Sequence, residues 1–122
     1  MAKTILLVDD SATSRMKSRM IFGNMKEYEF ISACDGKEGV EMALQRKPDL
    51  ILMDVEMPRM TGIEACRAIR ENAETRDVPI ILLTMRGEDA AVKMGFDSGC
   101  TEYMLKPVNE EKLIAALKKH LK

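Results

Sequence analysis

Short, continuous apolar runs recur along this chain, and they limit its fold more than any other feature. Ile5-Leu6-Leu7-Val8, Leu50-Ile51-Leu52-Met53 and Pro79-Ile80-Ile81-Leu82-Leu83 are each bounded by polar residues. Runs of this length read as strands buried on both faces. Tyr28 to Ala33 is partly polar and reads as a strand nearer an edge, and Thr101 to Leu105 as a fifth. The intervals carry helical patterns. Ser11 can cap a helix with Met16, Met20 and Ile21 on its inner face, ended by Gly23-Asn24. Asp35-Gly36-Lys37-Glu38 resembles a capping box, followed by Val40, Ala43 and Leu44, with Pro48 as the stop. Thr61-Gly62-Ile63-Glu64 is a second such start, with Ile63, Cys66 and Ile69 on one face. Gly87-Glu88-Asp89 leads into a helix through Ala91 and Val92, although its internal Gly95 costs roughly 1 kcal/mol of helix propensity against Ala, and Gly99 is a good stop. Asn109 caps a last helix with Leu113, Ala116, Leu117 and Leu121 inward. Strand and helix thus alternate five times, which predicts an α/β fold: a doubly wound parallel sheet with right-handed crossovers and helices on both faces.

In a parallel sheet the C-terminal ends of the strands share one edge, where open α/β sheets hold ligands. Four of the five predicted strands end in chemistry: Asp9-Asp10, Asp54, Thr84 and Lys106. An isolated Asp at a strand end is ordinarily a solvated acid, and an exposed Lys or terminal Thr ordinarily carries no role. Their convergence is what gives them weight. Three carboxylates brought to ~4 Å at an effective dielectric of ~20 repel by on the order of 4 kcal/mol per pair. Such a cluster raises carboxylate pKa values or recruits a cation. Oxygen ligands without His or Cys favour a hard cation, and few protein ligands suit Mg²⁺, for which Mn²⁺ can substitute. Metal, ammonium and hydroxyl together match the oxygens of a transferring phosphoryl group, with Asp54 as the carboxylate nucleophile.

Composition removes other readings. The 122 residues suffice for one domain, expected over 1–122. A net charge of -1 indicates no basic face, so no nucleic-acid partner is expected. No apolar run approaches a membrane span, and the stretch from Met1 to Val8 lacks a signal-peptide core. Cys34, Cys66 and Cys100 are odd in number and far apart, which predicts free thiols and a cytoplasmic setting. His120 is the lone histidine, so a structural zinc site is not expected. The eleven methionines read as flexible core filling. A dinucleotide fold wants a Gly-rich first turn, but this one is Asp9-Asp10-Ser11-Ala12-Thr13-Ser14. Haloacid-dehalogenase-type phosphatases space their two first-strand acids by one residue, whereas Asp9 and Asp10 are adjacent.

Val8-Asp9-Asp10-Ser11, Met53-Asp54 through Met57-Pro58 and Gly62, Leu83-Thr84, and Tyr103 through Lys106-Pro107 together resemble the receiver domain of two-component signalling over essentially the whole chain. That resemblance implies a (βα)5 flavodoxin-like fold and a phosphorylation-activated switch, of the stand-alone type used in chemotaxis. Asp54 would accept a phosphoryl group from a phosphohistidine on a sensor histidine kinase or phosphotransfer protein. Asp9, Asp10 and Asp54 would hold Mg²⁺, with the Glu56 backbone carbonyl as a further ligand. Lys106 would contact the phosphoryl group, Thr84 would move toward it, and Tyr103 would turn into the vacated space. The domain would assist its own phosphorylation and dephosphorylation without being an enzyme in the usual sense. The fourth helix, fifth strand and fifth helix would present the output face. Alternatives are a phosphorelay intermediate that passes the group to another histidine, and the receiver part of a larger regulator.

Some positions depart from the commonest pattern. Met85 stands where a small residue is usual and is expected to narrow access to Asp54. Glu56 and Arg86 are expected to pair across the mouth of the site and to set the lifetime of the phosphoryl group. Val108 replaces a frequent Phe, with little consequence expected.

Overall fold

The computed structural model describes residues 2–23 and 25–121, so the share of Asn24 in the first helix stop lies outside the described residues, as does Met1. Five strands and five helices alternate: β1 (Lys3–Val8), α1 (Ala12–Phe22), β2 (Tyr28–Ala33), α2 (Gly36–Arg46), β3 (Leu50–Asp54), α3 (Gly62–Glu71), β4 (Ile80–Thr84), α4 (Asp89–Asp97), β5 (Glu102–Leu105) and α5 (Glu110–His120). All pairings are parallel, in the order β2-β1-β3-β4-β5. The order reverses between β1 and β3, and ligands bind at such a reversal, outside the carboxyl ends of the strands. Val8 lies opposite Met53, Asp54 opposite Leu83, and Thr84 opposite Leu105, so the chemistry-bearing residues follow one another along that edge.

Alternate strand residues point to opposite faces, and both faces are apolar. Leu6, Val8, Ile51, Met53, Ile80 and Leu82 pack with Ala43 of α2 and with Ala65, Cys66 and Ile69 of α3. Ile5, Leu7, Leu50, Leu52 and Ile81 pack with Phe22 of α1 and with Leu113, Ala116 and Leu117 of α5. This two-sided burial is why the inner strands read as unbroken apolar runs. At the edge, β2 is only half-buried, and its Phe30 stacks on Phe22 with ring centroids 5.4 Å apart.

The caps fall where the sequence places them. Ser11, Asp35, Thr61 and Asn109 each accept a backbone N–H from the first turn of their helix. Among the described residues only Thr61 and Glu64 form a complete capping box; Glu38 instead accepts from the Cys34 N–H at 2.8 Å. Lys47, in the left-handed region at φ 44°, closes α2 ahead of Pro48.

The predicted inner face of α1 is wrong for its methionines. Met16 and Met20 are 63% and 73% exposed, while Phe22 is fully buried and Ile21 packs beside it. The three apolar residues first assigned to one face do not share one: on a 3.6-residue helix Ile21 lies across from Met16. The stacking of Phe22 on Phe30 decides which side docks. Met85 and Met94 are also exposed, so core filling describes Met53 and Met57 but not these four. Gly95, a weakness in the helical pattern of α4, has a packing reason. A Cβ there would strike the Tyr103 ring, so glycine permits this close approach of α4 to β5.

Candidate functional site

Each side chain at the carboxyl edge is placed by the element that ends there. The Asp9 carboxylate follows β1 and accepts the Ser11 N–H at 2.9 Å, and the Asp9 carbonyl accepts from the Arg15 guanidinium. Asp10 is exposed beside it. Asp54 is the last residue of β3 and is buried. The loop beyond must turn sharply back against it. Gly62 donates to the Val55 carbonyl at 3.0 Å, and a Cβ there would collide with the Asp54 carbonyl oxygen. This explains the Gly at the start of α3. The carboxylates of Asp9, Asp10 and Asp54 come together, with one oxygen from each within 4.8 Å of the others.

Lys106, from the end of β5, reaches across the edge and forms an ion pair with Asp54 Oδ1. That oxygen is buried, with the Lys106 ammonium against it. Burial pushes the Asp54 carboxyl above its usual range, the Lys106 ammonium pulls it back, and the charges of Asp9 and Glu56 push it up again. A buried carboxylate with two more acids beside it is a donor set made for a hard divalent cation. The residues present therefore fit Mg²⁺. Receiver domains bind Mg²⁺ at such an aspartate cluster.

The other half of the edge is built from hydroxyls and a single acid. Thr84, fully buried at the end of β4, donates its hydroxyl to Glu56 Oε2 at 2.6 Å. The Met85 N–H donates to Glu56 Oε1 at 2.8 Å, and the Arg86 N–H donates to Thr84 Oγ1 at 3.1 Å. Arg86 itself pairs with Glu88, Nε to Oε2 at 3.1 Å. The expected Glu56–Arg86 pair is thus replaced by two others. Both Glu56 oxygens are already engaged by donors of the β4 end, and a carboxylate two residues along the chain is nearer to Arg86. The Met85 side chain is 69% exposed, and it is the Met85 backbone N–H that joins the site. Tyr103 lies against Gly95 and Phe96, and its hydroxyl donates to the Arg86 carbonyl at 2.7 Å. A cleft of about 420 Å³ opens beside it, walled by Val55, Ile63, Thr84, Ala91 and Met94. Sequence reasoning named Glu56 for its backbone carbonyl and for Arg86, and missed that its side chain grips Thr84. The nearest signal was a carboxylate two residues past Asp54.

The fold and the edge together define a doubly wound parallel α/β protein with a phosphoryl-transfer type of acid–lysine–threonine site. The response regulator receiver domain model matches residues 5–118. Protein PilH of Pseudomonas aeruginosa is 35% identical over 113 residues, 93% of each chain. The phosphate regulon transcriptional regulatory protein PhoB of the same organism is 38% identical over 116 residues, 95% of this chain and 50% of that one. The chain spans about half the length of the curated transcriptional regulators it matches. Among solved structures, the chemotaxis protein CheY4 of Vibrio cholerae superposes with a TM-score of 0.90 at 32% identity, covering 99% of this chain and 100% of that one. The chain belongs to the response regulator receiver domain family. It is a phosphoacceptor switch of two-component signalling, a class that takes phosphoryl groups from histidine kinases and passes the state to output partners. No helix among the described residues is long and apolar enough to cross a membrane.

Proposed function

We propose that Asp54 is the phosphoacceptor, and that the chain works as a single receiver domain over 1–122 whose phosphorylation changes its partner-binding surface. An Asp54 carboxylate oxygen attacks the phosphorus of a phosphohistidine on a sensor kinase or phosphotransfer protein. A P–O bond forms as the P–N bond breaks, and the departing ring nitrogen keeps the electron pair. Asp9, Asp10, Asp54 and the Glu56 carbonyl would hold Mg²⁺, which when bound would offset negative charge on the phosphoryl oxygens. Lys106 is already in contact with Asp54 and needs no rearrangement to meet the group. Thr84 supplies the hydroxyl that follows it, and Tyr103 reports the change. The single observation that supports this reading most strongly is the buried Asp54 carboxylate at the meeting point of two other acids and one lysine.

The domain assists gain and loss of its own phosphoryl group and does not turn over a free substrate. Its output face is formed by α4, β5 and α5, where Met94, Phe96 and Leu105 stand half-exposed and can meet a partner. The likeness to PilH and CheY4 supports chemotaxis-like signalling as its setting. Free thiols accord with a cytoplasmic location.

Intact mass after incubation with Mg²⁺ and a small acyl phosphate tests the chemistry. One phosphoryl adduct is expected, absent from Asp54→Asn and absent without a divalent ion, with Mn²⁺ able to replace Mg²⁺. An adduct that persists in Asp54→Asn overturns the assignment. Met85→Ala is expected to form the adduct faster; an unchanged rate shows that Met85 does not narrow access.

A further inference from the structure

Glu56 is exposed on its loop, yet neither of its oxygens is free. One accepts a hydrogen bond from the buried Thr84 hydroxyl and the other from the Met85 N–H, at 2.6 and 2.8 Å. A hydroxyl has one proton to donate. While Thr84 donates to Glu56, it cannot donate to a phosphoryl oxygen on Asp54. The loop after β4 is further tied to this arrangement because the Arg86 N–H donates to the same Thr84 oxygen. Lys106 carries no such prior commitment, since it already rests on Asp54. The two cationic or donor groups of the site are therefore in opposite conditions, one in place and one held by an acid.

We propose that the Glu56 carboxylate is a built-in competitor of the phosphoryl group, holding the Thr84 hydroxyl and the Met85 N–H until phosphorylation takes them over. The proposal rests on Asp54 being the phosphoacceptor. The competition is between one carboxylate and a group with about -1.5 to -2 charges and three strong acceptor oxygens. The phosphoryl group is the stronger acceptor, and its charge also repels Glu56. A ligand shifts a two-state equilibrium only by its differential interaction with the two states. Glu56 bonds to the loop in the unswitched state alone, so it lowers the apparent affinity for anything that drives the switched state. Glu56 is in this sense a positioning residue: it touches the responding hydroxyl, not the reacting atoms.

Nuclear magnetic resonance on the whole chain tests this with beryllofluoride plus Mg²⁺ as a non-covalent phosphoryl mimic. Two quantities are measured on wild type, Glu56→Ala, Glu56→Asp and Glu56→Gln: hydrogen exchange of the Met85 amide without ligand, and beryllofluoride affinity. Loss of the two bonds in Glu56→Ala is expected to speed Met85 exchange about ten-fold and to tighten beryllofluoride binding by a similar factor. Glu56→Asp keeps the charge with a shorter reach, and Glu56→Gln keeps the shape with only one acceptor atom. Across all four proteins the gain in affinity should follow the loss of Met85 protection. If the two part company, so that affinity follows charge alone, or if Glu56→Ala keeps Met85 protected, the proposal is overturned. A wild type that takes neither beryllofluoride nor an acyl-phosphate adduct removes the phosphoacceptor reading and this proposal with it. A wild type that takes both while the variants match it removes this proposal alone.

Discussion

The β3–α3 and β4–α4–β5 segments sit side by side at the same edge, and they are held in very different ways. α3 opens on a full capping box and buries Gly62, Ala65, Cys66 and Ile69. α4 opens on Glu88, which makes no side-chain cap bond, and the one residue it buries is Gly95. The first segment delivers Asp54 into a packed wall, and the second delivers Thr84 and Tyr103 through hydrogen bonds to Glu56 and to the Arg86 carbonyl. Few buried apolar contacts mark a segment that opens at low free energy. The lesson is a division of labour: Asp54 is fixed by the core, while the Thr84 hydroxyl and the Tyr103 hydroxyl are held by hydrogen bonds that can be exchanged.

Core truncation should separate the two segments most. Ile69→Ala is expected to cost about 2–5 kcal/mol in urea unfolding, against about 0.5 kcal/mol or less for Met94→Ala. Equal losses would show that α4 is as firmly packed as α3, contrary to the comparison. Gly95→Ala attacks the close approach of α4 to the Tyr103 ring. Its methyl should displace the Tyr103 ring at a cost of roughly 1–3 kcal/mol, visible as a shift of the Tyr103 ring resonances; unchanged resonances would mean that α4 moves away without effort. The caps offer a finer contrast. Thr61→Ala should lose about 1 kcal/mol, and Glu88→Ala close to nothing, by the same unfolding measurement.

A pH titration probes the fixed segment alone and should have the smallest effect. Burial outweighs the other influences on Asp54, so its folded pKa lies above its ordinary value of 3.8. The stability contributed by its protonated form is complete below that ordinary value and is lost as pH rises through the folded one. At neutral pH, without metal, the wild type thus carries a buried charge at net cost. Asp54→Asn is expected to melt a few degrees higher at pH 7, and the gap should close as pH falls below the ordinary carboxylate range. Adding Mg²⁺ should raise the wild-type melting temperature and leave Asp54→Asn unmoved. A wild type that melts above Asp54→Asn at pH 7 without metal would mean that the Lys106 ion pair outweighs burial.

Much of this protein can be read without its structure, because the signals involved are short-range. Apolar runs of four or five residues announced the two-sided strands, and Ser11, Asp35, Thr61 and Asn109 announced the helix starts. A parallel sheet then requires the ends of β1, β3, β4 and β5 to share an edge, which was enough to gather Asp9, Asp10, Asp54, Thr84 and Lys106. The sequence by itself thus determined the alternation of strand and helix and which strand-end residues share one edge. What it could not determine were choices between near-equivalent partners in space. Met16 and Met20 lie outward because Phe22 found Phe30 on the neighbouring strand. Gly95 is tolerated in a helix because a tyrosine ring from β5 lies on it. Glu56 binds Thr84 and the Met85 N–H rather than Arg86, because the end of β4 presents two donors to one carboxylate. Such choices turn on distances of an ångström or less between separate strands, and only the packed tertiary structure sets those.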